Sequence, residues 1–225
     1  MTKNVNTGIF NNILIWLLLL TVILSLMTTI PHAIALSVNK WAVVWGDNGY
    51  GNLNICGDNN ARLMVQALKS IYGFPASNII LLTGNGLTPQ SAAGSLVWLQ
   101  EHTDDASSVF YFYSGHGTYF APETYVAYFN PMHYAKLVLI FEGCNSGDVV
   151  QPLAGINRVV IASAVGVSVT KPNSSTFGDL FIKKAILKGL GDFNRDGEVS
   201  MEEAFQYYPN YAPLISDGYL GELVP

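Results

Sequence analysis

From Trp41 onward, apolar runs of strand length alternate with segments of helical period, and this rhythm limits the possible folds more than any other feature. Trp41-Ala-Val-Val-Trp45, Asn78 to Leu82, Val109 to Tyr113, Leu137 to Phe141 and Arg158 to Ala162 are nearly continuous in apolar character. Strands that lack a polar face are covered on both sides, as in a parallel sheet sandwiched by helices. Asp58 is a candidate N-cap for a helix whose apolar face would be Leu63, Val65, Ala67, Leu68 and Ile71, with Gly73 and Pro75 ending it. Thr88-Pro89 opens a second helix carrying Leu96, Val97 and Leu99. Tyr125 to Phe129 reads as part of a hairpin before a break at Pro131, and Thr176 to Leu187 as another helix. The expected fold is α/β: three-layer, with a mostly parallel sheet and helices on both faces.

The chain has 225 residues, 50% hydrophobic and only 12% charged, enough to bury the core of one ordinary domain. A net charge of −5 and no lysine- or arginine-rich stripe set nucleic acid aside as a partner. Residues 1–35 read as a signal peptide or signal anchor. Lys3 is the only charge before the apolar run Ile13 to Met27, and Ala33-Ile-Ala35 has the small-x-small form of a cleavage site. Ile13 to Ile30 is also long enough to approach a membrane span. The expected location is secreted or cell-surface, with membrane attachment through this segment if it is not cleaved. In such a compartment Cys56 and Cys144 are open to pairing as a disulfide, or to leaving one reactive thiol.

The chemistry concentrates at two strand ends. Val109 to Tyr113 runs into Ser114-Gly-His116-Gly117, and Leu137 to Phe141 runs into Glu142-Gly-Cys144-Asn-Ser-Gly147. Catalytic groups of open α/β sheets gather beyond the carboxyl ends of the strands. A cysteine and a histidine delivered there by neighbouring strands suit nucleophilic acyl transfer. Cys144 is the candidate nucleophile and His116 the candidate general acid/base. The amides of Gly117 and Cys144 are candidate oxyanion donors. The plainer alternatives are a satisfied imidazole and a buried thiol acting as a small hydrophobe.

These motifs resemble the caspase and hemoglobinase-like cysteine peptidases, most closely the legumain (asparaginyl endopeptidase) family. A third segment, Trp41-Ala-Val-Val-Trp-Gly-Asp-Asn-Gly-Tyr-Gly-Asn52, looks like that family's first strand and loop, so the likeness covers Trp41 to Ile186. The resemblance implies a caspase-like fold, a peptidase domain over 37–191, protein or peptide substrates, and no organic cofactor. It implies that Asn52 orients His116, although a turn asparagine is an equal reading there. It places Glu142 in the pocket for the residue before the scissile bond (P1), and Ser163 in a segment that pairs with substrate backbone. Asn54 stands where legumains carry an arginine. The P1 preference is therefore Asn or basic, the latter as in metacaspases and clostripain-like relatives, and Cys56-Gly-Asp58 is similar to a metacaspase stretch. The same acyl chemistry serves a hydrolase or a transamidase/transpeptidase acting on protein tails.

Residues 192–225 read as a calcium loop followed by a C-terminal helix and tail. Asp192, Asn194, Asp196, Glu198, Ser200 and Glu203 fall at the ligand positions of a twelve-residue EF-hand loop, with Gly197 at the sharp turn. The expected cofactor is Ca2+, structural or activating. A solvated acidic turn is the alternative. A catalytically silent calcium-binding surface module, with Cys56 and Cys144 oxidised together, is the corresponding alternative for the whole domain.

Overall fold

A computed structural model of the chain describes residues 39–49, 56–164, 170–171, 174–211 and 219–222. Residues 1–35, read above as a signal peptide or signal anchor, and Asn52 and Asn54 lie outside the described residues. Five strands run parallel: β1 (Lys40–Gly46), β2 (Ile79–Thr83), β3 (Ser108–Ser114), β4 (Lys136–Glu142) and β5 (Arg158–Ala162). Their order is β2-β1-β3-β4-β5. A two-stranded ladder, β6 (Thr170–Lys171) with β7 (Ser174–Ser175), stands apart. A short strand, β8 (Tyr219–Glu222), adds antiparallel to β5.

The continuous apolar character of the strands follows from cover on both faces. Ala42, Val44, Phe110, Phe112, Val138 and Ile140 point to a core shared with helices α1 (Gly57–Ser70), α5 (Gly178–Leu187) and α6 (Met201–Tyr211). The alternate residues Val43, Trp45, Tyr111, Tyr113, Leu139 and Phe141 point the other way. They meet α2 (Pro89–His102), α3 (Pro122–Phe129) and α4 (Val150–Leu153). At about 1.5–3 kcal/mol for each fully buried large side chain, these two layers dominate the folding free energy. The expectation of a mostly parallel sheet with helices on both faces is met.

Two local expectations are corrected. The segment expected as a hairpin is a helix with Pro122 in its first turn, because Tyr125 and Phe129, one turn apart, both bury against β3 and β4. The Tyr125 ring lies 5.7 Å from Tyr111 and 5.0 Å from Phe141, centroid to centroid, so tertiary packing overrides the strand propensity of an aromatic run. Cys56, not Asp58, stands at the N-cap position of α1, without a capping bond from its side chain. Asp58 lies in the first turn and accepts the Gly84 amide at 3.1 Å. The buried stripe is accordingly Asn60, Ala61, Met64, Ala67 and Leu68, leaving Ile71 46% exposed. The helix expected over Thr176 to Leu187 is present, winding as a π-helix from Gly178, where it approaches α1 closely: a Cβ at Gly178 would lie 2.3 Å from Asn60 Oδ1.

Candidate active site

Register brings the two reactive residues to one place. β3 and β4 pair with Ser114 opposite Glu142. Each strand then leaves the sheet, and His116 and Cys144 follow two residues later, beyond neighbouring strands. The Gly115 amide donates to the Glu142 carbonyl at 2.9 Å, carrying the ladder one step past the strands. Beyond it the loops touch through their backbones: a Cβ at Gly143 would lie 2.0 Å from the Gly117 carbonyl oxygen and 2.9 Å from that of Gly115. Only glycine fits there. Gly117 sits at φ +67° and Asn145 at φ +57°, so the chain reverses sharply after each reactive residue. His116 is exposed and Cys144 half-buried, so both are open to a ligand.

The loop after β5 clamps the Cys144 turn. Ser163 Oγ accepts the Gly143 amide at 3.1 Å, and Gly147 N–H donates to the Ala164 carbonyl at 2.8 Å. Ser163 is fully buried; its own N–H donates to Phe141 O at 2.9 Å, and its carbonyl accepts from the Tyr208 hydroxyl at 3.4 Å. These bonds place Ser163 as a brace beneath Gly143, where the resemblance put it among substrate contacts.

Glu142 is 3% exposed, a carboxylate buried at the end of β4. Its two carboxylate oxygens accept from Asn60 Nδ2 at 3.0 and 2.9 Å. Asn60 is itself buried, with Ser114 Oγ and Cys56 Sγ each 3.5 Å from the same nitrogen. Sequence reasoning missed Asn60. Its signal was a polar residue on the buried stripe of α1, which requires a buried partner. No disulfide joins Cys56 and Cys144 in the structure.

The acidic loop lies at the other end of the sheet. It lines a cavity of about 770 Å³ together with Lys40 and Lys136, the first residues of β1 and β4. Asp192 accepts the amides of Asp196 and Gly197, both at 3.1 Å, and Asp196 Oδ1 accepts that of Glu198 at 2.8 Å. Ser200 and Glu203 form a reciprocal capping box at the start of α6. Glu203 N–H donates to Ser200 Oγ at 3.1 Å and Ser200 N–H to Glu203 Oε2 at 3.0 Å. The Ser200 and Asn194 amides hold the Glu203 carboxyl below its ordinary range. Among the described residues, no three His, Cys, Asp or Glu side chains are gathered to hold a metal ion. Nor is any described helix long and apolar enough to cross a membrane.

The two touching loops bring a thiol and an imidazole to the same end of the sheet. A family model described as the caspase domain matches residues 39–197, from the first residue of the described fold into the acidic loop. No curated protein matches the chain.

Proposed function

The chain belongs to the caspase domain family and is a cysteine-type peptidase of protein or peptide substrates; on that premise we propose that Cys144 and His116 are its catalytic dyad. The observation that carries this reading is the in-register exit of β3 and β4 into loops whose backbones touch at Gly143 and Gly117. In this reading the Cys144 sulfur attacks the scissile carbonyl while the Gly117 and Cys144 amides receive the oxyanion. His116 takes the thiol proton and delivers it to the leaving amine. Water then attacks the thioester, His116 removing its proton, and Cys144 is regenerated. Ser163 holds the Gly143 amide and so keeps the turn before the nucleophile in place.

Glu142 supplies the P1 preference. Asn60 orients both carboxylate oxygens. With Asn54 where legumains carry an arginine, a basic P1 side chain is favoured over asparagine. A peptidyl acyloxymethyl ketone ending in arginine tests the proposal directly. It is expected to label Cys144 in the intact chain and to leave Cys144→Ala unmodified; label retained by Cys144→Ala would remove the dyad.

We also propose that Asp192, Asn194, Asp196, Ser200 and Glu203, with the Glu198 carbonyl, hold Ca2+, which would brace the start of α6 by charge neutralisation. Oxygen-only donors in a tight turn at Gly197, φ +90°, fit a hard cation. Glu203 must then give up the Asn194 and Ser200 amides it accepts now. Calcium at a hundred times its dissociation constant is expected to raise the melting temperature by about 5 °C or more over the chelated protein. The shift should vanish in Glu203→Gln. Equal melting with calcium and with chelator would remove the site.

A further inference from the structure

The side chain that reaches the backbone of His116 lies three positions before it in the chain. His116 is flanked by Gly115 and Gly117, the latter at φ +67°, so its neighbours in sequence offer no side chain to hold the turn. A hold comes from beneath instead. The Tyr113 hydroxyl donates to the His116 carbonyl at 2.9 Å, from a ring that is fully buried on the α2/α3 face of the sheet. That hydroxyl also dictates glycine at 115: a Cβ there would lie 2.5 Å from Tyr113 Oη and 2.8 Å from Cζ.

A second tie follows two residues on. The Tyr125 hydroxyl donates to the Thr118 carbonyl. It accepts in turn from the Tyr111 hydroxyl at 3.0 Å. Tyr119, at φ +69°, closes the turn with its ring 5.9 Å from Tyr113 and 5.5 Å from Trp45, centroid to centroid. Burial pushes the Tyr113 hydroxyl up, with Asp47 adding to it, so it remains a neutral donor.

We propose that Tyr113 is a positioning residue for His116, its hydroxyl locking the backbone turn that aims the imidazole at Cys144. The proposal rests on the Cys144–His116 dyad. It assigns to the strand's own terminal tyrosine a role that ring packing alone would not need.

The test is the rate at which iodoacetamide alkylates Cys144, followed on its own peptide by mass spectrometry, in the intact chain, Tyr113→Phe, His116→Ala and the double variant. Tyr113→Phe keeps the ring and loses only the hydroxyl. It is expected to slow alkylation about fivefold or more, with its thermal melt showing a folded protein. In the His116→Ala background the same change should add nothing, because a residue acting through His116 has nothing left to position. Should Tyr113→Phe not be obtained folded, Tyr125→Phe, which releases Thr118, is expected to show the same pattern.

Alkylation of Tyr113→Phe at the unaltered rate, or an equal further slowing in the double variant, would overturn the assignment while leaving the dyad intact. His116→Ala alkylated as fast as the intact chain would remove the dyad itself, and the positioning role with it.

Discussion

Gly143→Ala is expected to lower kcat/KM against a peptide substrate by about a thousandfold or more while leaving a folded protein. The added methyl would sit 2.0 Å from the Gly117 carbonyl oxygen and 2.9 Å from the Gly115 carbonyl oxygen. Both obstacles are backbone atoms, so no rotamer change relieves the contact, and the two loops must separate. A displacement of about 1 Å between reacting groups costs about a hundredfold. Misplacing an oxyanion amide, here Gly117 or Cys144, adds a further factor of about a hundred or more.

The damage to stability is smaller. Overpacking of this kind costs about 1–3 kcal/mol, and it falls in loops beyond the ends of β3 and β4 rather than inside the sheet. Gly94→Ala is the control, since a Cβ there meets nothing within 4 Å and the backbone is helical. Steady-state kinetics beside a thermal melt decide the matter. A Gly143→Ala enzyme of ordinary activity would show that the loops do not depend on this contact.

That collision site was half visible in the amino-acid sequence. The Gly-His-Gly and Gly-Cys runs stood out because each follows an apolar strand, and parallel pairing then forced their loops to the same end of the sheet. What the sequence could not show was which glycine bears on which carbonyl, because that depends on a register between strands distant in the chain. Asn60 was hidden for a related reason. Asp58 is the natural cap by composition, yet Cys56 holds the cap position and the helix face rotates, bringing Asn60 inward to a partner in β4. Residues 192–203 were legible as a turn rich in oxygen donors. Ser200 and Glu203, however, satisfy a helix capping box and the end of an EF-hand loop with the same atoms, so residue spacing alone cannot separate the two. Tyr125 to Phe129 misled because aromatic residues favour strands until two of them, four apart, find a buried aromatic floor.

Glu142→Gln should be the clearest separation of binding from chemistry. The substitution is nearly isosteric, keeps an acceptor for Asn60 Nδ2, and removes the charge that would meet a basic P1 side chain. Losing one member of a desolvated ion pair costs about 2–5 kcal/mol. An arginine substrate should therefore fall by about a hundredfold in kcat/KM. Its neutral isostere, a citrulline substrate, should change little, because Cys144, His116 and their amides are untouched. A folded protein is expected, because the substitution keeps the shape of a side chain that is 3% exposed and keeps an acceptor for Asn60 Nδ2. Matched arginine and citrulline peptides give the ratio directly. If the arginine-to-citrulline ratio is the same before and after the substitution, Glu142 does not read the P1 charge, and its bond to Asn60 serves only to join β4 to α1.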